Sequence, residues 1–403
     1  MERKENMNIL LRGMSLSGGA PKSVLEYLKI LKQDGHRINV IMQEREQELK
    51  ELYEREFDRF SPAPDIVSLF TKKAFVALYT QICREYRELK SSKPDLVLAL
   101  GYAPAFFYGR FCKELNIPCI MIIPGGDLSA NELFLKGGGW CHAIGFSEEN
   151  RKVLSRYTRA ENISVISNRI ALKTKFDGLT EHIATAINGV NILLTSRVTS
   201  GKYDSIIRFI DNLCRAADGR VKINLTVAGG GEKLEALKKY VSGISNPFVS
   251  VEIKGHLDNL LPGFEKAHLV VGKGRSVLEP VMMNRPGCVI GDDGKLELCT
   301  PENFERLYRH NFSGRGLECD DPVAVLKSVL DSLAANTVDI EETLCTARLA
   351  REYYSAEYLR EKLYDSLGRA DFRPEKKIHI PVFLRLLKFT LVRFVQKLKN
   401  KKK

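Results

Sequence analysis

Two cations five residues apart, Arg197 and Lys202, follow the apolar run Val190-Asn-Ile-Leu-Leu194. A guanidinium offers a planar fork and an ammonium a point charge. At the carboxyl end of a strand such a pair could hold a diphosphate; two solvated surface charges is the plain alternative. A second candidate is Gly272-Lys-Gly-Arg-Ser-Val-Leu-Glu279, which follows the apolar run His268-Leu-Val-Val271. Its glycines expose backbone N–H groups, and Arg275 and Ser276 lead into a helix expected from Ser276 to Met283. Glu279, in the first turn of that helix, is placed to accept hydrogen bonds from sugar hydroxyls. A carboxylate there also suits the positive end of the helix, so a structural role stays open. Gly18-Gly19 lies where a first strand meets a first helix and could let a phosphate approach the backbone; a tight turn explains it equally. The adjacent Pro21-Lys22-Ser23 is not a Walker A motif, which needs glycine where Pro21 stands. Lys136-Gly-Gly-Gly-Trp140 carries the sole tryptophan, either to touch a second substrate or to pack. His36, His256 and His310 are candidate proton-transfer groups, and lone histidines are more often structural.

These residues need a scaffold, and the hydrophobic pattern supplies one. Asn8-Ile-Leu-Leu-Arg12 reads as a strand. Val24, Leu25, Leu28 and Leu31 share one face of a helix, Pro21 suits its first turn, and Gly35 ends it. Ile38-Asn-Val-Ile41 is the next strand, which completes a βαβ unit. Residues 44–57, rich in Glu, Arg and Lys, are expected to form a solvated helix. Leu96–Leu100 and Pro118–Ile123 are further strands around a helix from Tyr102 to Leu115, and Pro124-Gly-Gly-Asp127 turns at a strand's carboxyl end. Ile163–Ile166 closes the first half. The second half repeats the grammar, with strands at Val190–Leu194, Ile223–Val227, Val249–Ile253, His268–Val271 and Pro286–Ile290. Helices are expected over Ile206–Cys214, from Glu232 onward, and over Ser276–Met283. Two α/β halves imply a cleft, with ligands at the carboxyl ends of the strands.

The chain has 403 residues, 44% of them hydrophobic and 28% charged, which excludes bulk disorder and collagen-like repeats. Of its formal net charge of +12, the ten Lys and Arg of residues 376–403, unaccompanied by Asp or Glu, leave only +2 for residues 1–375. A uniformly basic surface for nucleic acid is thereby disfavoured, and a local anionic partner for the tail is expected. The nine cysteines include no C-x-x-C and no zinc-ligand spacing, the pattern of reduced thiols in a cytosolic protein. The charged start is unlike a signal peptide, and no uncharged apolar run reaches the roughly 18 residues of a membrane span.

Taken in order, these segments resemble the GT-B glycosyltransferases of the retaining "group 1" type, over roughly residues 7–370. The opening strand, Gly18-Gly19 loop and Asp34-Gly35-His36 helix end match that family's first domain. Ser196-Arg197 with Lys202-Tyr203-Asp204, then Val227-Ala-Gly-Gly-Gly231, Ile253-Lys-Gly255-His256-Leu257 and Val277-Leu-Glu279-Pro-Val-Met-Met-Asn-Arg-Pro286, match the second. The resemblance implies that Arg197 and Lys202 clamp a donor diphosphate and that Glu279 binds the donor ribose. It implies that Gly19 gives the closest backbone contact to the phosphates and that Gly255 and His256 lie near the base. It also brings Gly18, Gly230, Arg275 and Ser276 to the donor site. Two departures mark a divergent member. Val271 stands where the family's first Glu of Glu-x7-Glu belongs, and Pro124-Gly-Gly-Asp127 stands where a histidine is common. Asp127 and Trp140 become acceptor-side candidates.

The expected architecture is therefore α/β GT-B. Its parts are a Rossmann-like acceptor domain over 1–170, a linker at 171–188 and a nucleotide-sugar domain over 189–337. Helices at 338–374 cross back to the first domain, and a basic amphipathic tail fills 375–403. The expected function is metal-independent, hexosyltransferase-like transfer from a UDP- or GDP-linked sugar to a cell-envelope glycan or lipid-linked acceptor, in polysaccharide biosynthesis. No cofactor and no nucleic acid are expected. Retention of configuration follows from the resemblance alone. The alternatives are an inert paralogue serving as a membrane-bound partner of another glycosyltransferase, and a nucleotide-sugar epimerase. In the tail, Phe383, Leu384, Leu387, Leu391, Phe394, Val395 and Leu398 fall within about 120° of a helix, with Arg385, Lys388, Arg393, Lys397 and Lys399 opposite. Residues 378–403 are thus expected to lie on an anionic membrane surface, peripheral on the inner face of the cytoplasmic membrane.

Overall fold

Short apolar runs, each bounded by a turn or a polar helix, form two parallel-dominated sheets. In the computed structural model the described residues are 6–15, 19–44, 47–64, 75–124, 135, 138–167, 169 and 189–369. The chain divides into two compact units. One is Met1–Phe146, Asn150–Ile166 and Lys362–Lys403; the other is Ser147–Glu149 and Ser167–Glu361.

In the first unit the strands are β1 (Asn8–Ser15), β2 (Arg37–Gln43), β3 (Arg59–Pro62), β4 (Leu96–Leu100), β5 (Cys119–Ile123), β6 (His142–Gly145) and β7 (Ile163–Val165). They pair in the order β3-β2-β1-β4-β5-β6-β7, every pair parallel. All five residues of β4 and all five of β5 are buried, as strands covered on both faces must be. The helices are α1 (Gly19–Gln33), α2 (Gln47–Glu56), α3 (Phe75–Ser92), α4 (Tyr102–Leu115) and α5 (Glu148–Leu154), whose first two residues are assigned to the other unit. Val24, Leu25, Leu28 and Leu31 of α1 are buried on the sheet, and the Tyr27 hydroxyl donates to the Ile166 carbonyl at 3.0 Å. A buried ion pair ties β1 to α3: Arg12 Nε and Nη2 donate to the two Glu85 carboxylate oxygens, each at 2.9 Å. Helix α2 is less solvated than its composition suggests, because Leu49 and Tyr53 are buried and the Tyr53 hydroxyl reaches the Pro21 carbonyl at 2.9 Å.

In the second unit the strands are β8 (Val190–Thr195), β9 (Ile223–Ala228), β10 (Val249–Gly255), β11 (Leu269–Gly272), β12 (Gly287–Ile290) and β13 (Leu296–Leu298). Their order is β10-β9-β8-β11-β12-β13, parallel except for the antiparallel edge strand β13. The helices are α6 (Ser200–Ala216), α7 (Leu234–Val241), α8 (Leu261–Lys266), α9 (Arg275–Met282), α10 (Pro301–Arg309), α11 (Pro322–Ala334) and α12 (Ile340–Tyr353). A last helix, α13 (Ala356–Gly368), spans the boundary between the units. Order reverses at β8: its successors β9 and β10 lie on one side, β11 and β12 on the other. The crevice at such a reversal, outside the carboxyl ends of the strands, is where open α/β sheets take ligands.

Several elements differ from the sequence expectation. Helix α6 begins at Ser200, so Lys202 lies in its first turn. The helix expected from Glu232 begins at Leu234, because the Glu232 carboxylate accepts from the Ser200 backbone N–H at 2.6 Å and the Ser200 hydroxyl at 3.1 Å. Strands β3, β6 and β13 and helices α3, α5, α8, α10 and α11 were not foreseen. All nine cysteines are free. The expected linker at 171–188 and the tail at 375–403 lie outside the described residues, and no helix among the described residues is long and apolar enough to cross a membrane.

Candidate functional site

The second unit assembles its cations where the strand order reverses. Strand β8 ends at Thr195 and β11 at Gly272, and their ends are stitched together. The Thr195 hydroxyl donates to the Ser276 carbonyl at 3.2 Å, and the Ser276 hydroxyl lies 3.3 Å from the Thr195 carbonyl and accepts from the Lys273 N–H at 3.1 Å. The turn into α9 passes through Gly274 at φ 59° and ψ −127°, backbone open essentially to glycine, with its N–H donating to the Phe312 carbonyl at 2.6 Å. On the other side, a Cβ at Gly229 would stand 1.8 Å from the Ser196 carbonyl oxygen. The triglycine turn therefore lies directly against Ser196–Val198, and Val198 N–H donates to the Gly230 carbonyl at 2.9 Å.

On this frame sit Arg197, Lys202 and Lys273. Arg197 is exposed just past β8. Lys202, partly buried in the first turn of α6, is a cation at the positive end of a helix, where an anion is favoured instead. Burial first, and then the Lys273 and Arg197 cations, push the Lys202 ammonium below its ordinary pKa; only Asp292 pulls the other way. Lys273, just past β11, is 12% exposed in its side chain and pairs with Asp292. Sequence reasoning passed over Lys273 although its loop was singled out. The signal was the one that picked Arg197: a cation just past an apolar parallel strand.

The other candidates are placed as follows. Gly255 ends β10 and its carbonyl accepts from the Gly229 N–H at 2.7 Å. His256 follows, exposed, its Nε2 3.4 Å from an Asp258 carboxylate oxygen and its Cβ beside Gly230. Arg197, Gly230, Gly255 and His256 thus share one rim, at the carboxyl ends of β8, β9 and β10. Arg275 and Glu279 face each other. The guanidinium donates through Nε and Nη2 to Glu279 Oε1 at 3.1 and 2.8 Å, and through Nη1 to the Arg169 carbonyl at 2.8 Å. Helix α9 starts one residue earlier than expected, so Glu279 is not in its first turn but one turn on, four residues from Arg275. That spacing explains the pair.

In the first unit, Gly19 is the first residue of α1. Gly18 and Asp127 lie outside the described residues. Trp140 is half-buried against the core of this unit, and its indole N–H finds no hydrogen-bond partner among the described residues. A Cβ at Gly139 would stand 2.1 Å from the Gly109 carbonyl, so the glycines before Trp140 let its loop lie flat on α4. His36 Nε2 pairs with the Tyr364 hydroxyl at 2.9 Å and its Nδ1 accepts from Met7 N–H at 3.2 Å, which is a structural role. The described residues hold no group of three or more His, Cys, Asp or Glu that could bind a metal ion.

This architecture is α/β of the GT-B type. Its likeness is to solved structures: no family model and no curated protein matches the sequence. Anabaena HepE, solved with UDP and glucose, superposes with a TM-score of 0.64 at 14% identity, over 90% of this chain and 100% of that one. TarM of S. aureus, solved with UDP and α-GlcNAc-glycerol among its ligands, gives 0.60 at 13% identity, over 91% and 100%. A protein from Listeria monocytogenes, provisionally assigned as a UDP-N-acetylglucosamine 2-epimerase, gives 0.54 at 13%, over 92% and 100%. At such identities the likeness is one of fold.

Proposed function

We propose that this protein is a glycosyltransferase that takes a sugar from a UDP- or GDP-linked donor. The observation that carries the reading is the placement of Arg197 just past β8, Lys202 in the first turn of α6 and Lys273 just past β11, all at the strand-order reversal of the second sheet, with Asp292 paired to Lys273. Cations held together by a rigid backbone store an electrostatic cost that an anion relieves, and a diphosphate fits the site's charge and position. Stabilising that group as it leaves is the electrostatic contribution that usually dominates such a reaction. Gly230, Gly255 and His256, on the rim beside Arg197, are the proposed neighbours of the base. Glu279 is the proposed ribose ligand, Arg275 and Ser276 are the proposed neighbours of the phosphates, and Gly18 and Gly19 are proposed as donor-binding residues, with Gly19 as a backbone contact to the phosphates. The first unit is the proposed acceptor side, with Asp127 and Trp140 as its candidates, and retention of configuration is proposed with it.

HepE and TarM, which share this fold, are solved with UDP, which supports a UDP-linked donor here. The proposed acceptor is a cell-envelope glycan or a lipid-linked intermediate, reached from the inner face of the cytoplasmic membrane through residues 378–403. The support for that placement is the sequence of the tail, basic on one side and apolar on the other. A second reading is a nucleotide-binding partner without turnover. Two observations favour it: Val271 stands buried where the family carries a glutamate, and Glu279 is engaged by Arg275.

A panel of nucleotides read by thermal unfolding tests the binding claim, since a ligand that binds only the folded state raises the melting temperature by mass action. UDP or GDP is expected to raise it; no rise with any nucleoside diphosphate would overturn the reading. Release of UDP or GDP from its nucleotide sugar then separates transferase from inert binder.

A further inference from the structure

Lys273 and Asp292 stand out within the cation cluster because neither is needed to hold the backbone. The turn after β12 is closed by its own hydrogen bonds: Gly291 N–H donates to the Lys295 carbonyl at 2.8 Å, and the Asp293 carboxylate accepts from Lys295 N–H at 3.1 Å. Asp293, not Asp292, thus makes the turn. Asp292 reaches back across it to the Lys273 ammonium. The two partners are unequally placed. Lys273 is 12% exposed, fixed by a loop whose N–H is held by Ser276, while the Asp292 side chain is 63% exposed. Water can solvate the exposed Asp292 carboxylate, whereas the Lys273 ammonium is largely shielded from it.

The charges also balance in a particular way. Arg197, Lys202 and Lys273 against Asp292 leave two positive charges, which match the two negative charges of an intact nucleotide-sugar diphosphate. When the glycosidic C–O bond breaks, its electron pair stays on the β-phosphate oxygen and the leaving nucleoside diphosphate carries three. With Asp292 released to solvent the site carries three as well.

We propose that Lys273 is the third cation of the diphosphate site and that Asp292 is its displaceable counter-ion, holding the ammonium in the empty protein and giving it up to the leaving diphosphate. This rests on the donor-site reading above and adds to it a residue that tunes the balance between substrate and product.

The test is calorimetric titration of the full chain with UDP, UDP-glucose, GDP and GDP-mannose. The proteins compared are wild type, Asp292→Asn, Lys273→Met and the double variant, each first checked for an unchanged melting temperature. Asp292→Asn is expected to tighten the nucleoside diphosphate about two- to fivefold, the scale of a partly exposed ion pair, and the intact nucleotide sugar by less. Lys273→Met is expected to weaken the nucleoside diphosphate by about tenfold or more. In the Lys273→Met background the gain from Asp292→Asn is expected to vanish. A gain that persists there would show a general electrostatic effect and overturn the pairing. Unchanged or weaker binding in Asp292→Asn would overturn the counter-ion role, and unchanged binding in Lys273→Met the cation role. If wild type binds none of the four ligands, the donor-site reading fails first, an outcome distinct from all of these.

Discussion

Glu279 lies four residues beyond Arg275 on α9, and the two share one carboxylate oxygen in a forked hydrogen bond. Its second oxygen makes no hydrogen bond among the described residues, and on the proposed reading it accepts from a ribose hydroxyl. Glu279→Gln is therefore expected to weaken UDP or GDP about two- to tenfold, the scale of one hydrogen bond, and to leave inhibition by inorganic pyrophosphate unchanged. Equal losses for both ligands would mean that Glu279 serves only to hold Arg275 and the loop. At this scale the sequence was readable where a residue's job follows from its place after a strand. Arg197 and Lys202 stand out as candidates in that way, and Lys273, just past β11, satisfies the same rule. Glu279 was placed in the first turn because a helix start cannot be located to the residue without seeing Gly274 adopt its glycine-only conformation. The Arg275 pair that follows from the true start was missed with it.

Among the elements, β1 and α3 depend on a contact that no local pattern announces. Arg12 and Glu85 are 73 residues apart, both buried, and joined by two parallel hydrogen bonds. Burial alone would lift the Glu85 carboxyl, but the Arg12 guanidinium, with help from Gln81, holds it below its ordinary pKa. Glu85→Ala would leave an uncompensated guanidinium in the core and is expected to cost about 3–5 kcal/mol. The paired change Arg12→Met with Glu85→Leu is expected to recover much of that. Denaturant unfolding of both variants decides; a loss under about 1 kcal/mol in Glu85→Ala would show that water compensates the charge. The elements that were legible are the fully buried parallel strands and the helices between them, because a strand covered on both faces must be continuously apolar. Strand β3, Arg59–Pro62, and the antiparallel edge β13, Leu296–Leu298, are too short and too mixed to stand out. Helix α2 was read as solvated because its buried Tyr53 is one aromatic among charges.

For the molecule as a whole, charge is the organising quantity. The body is nearly neutral, the tail is strongly basic, and within the second unit a small cation cluster sits at the strand-order reversal, where open α/β sheets take ligands. The tail is expected to carry the protein to anionic membranes. In co-sedimentation with anionic liposomes the full chain is expected to pellet and a chain ending at Pro374 to stay in solution. Equal pelleting of both, or equal binding to neutral liposomes, would refute it. The repeat of two α/β units was visible in the strand grammar, whereas the meeting of Lys273 with Lys202 and Asp292 is a product of strand order, which sequence separation hides. The central claim is that this cluster grips a diphosphate. Its most direct test is titration of wild type, Arg197→Ala and Lys202→Ala with whichever of UDP or GDP stabilises the wild type. Each variant is expected to keep its fold and to lose about 1.5–3 kcal/mol of binding, one charge-assisted hydrogen bond; wild-type affinity in both variants would contradict the account.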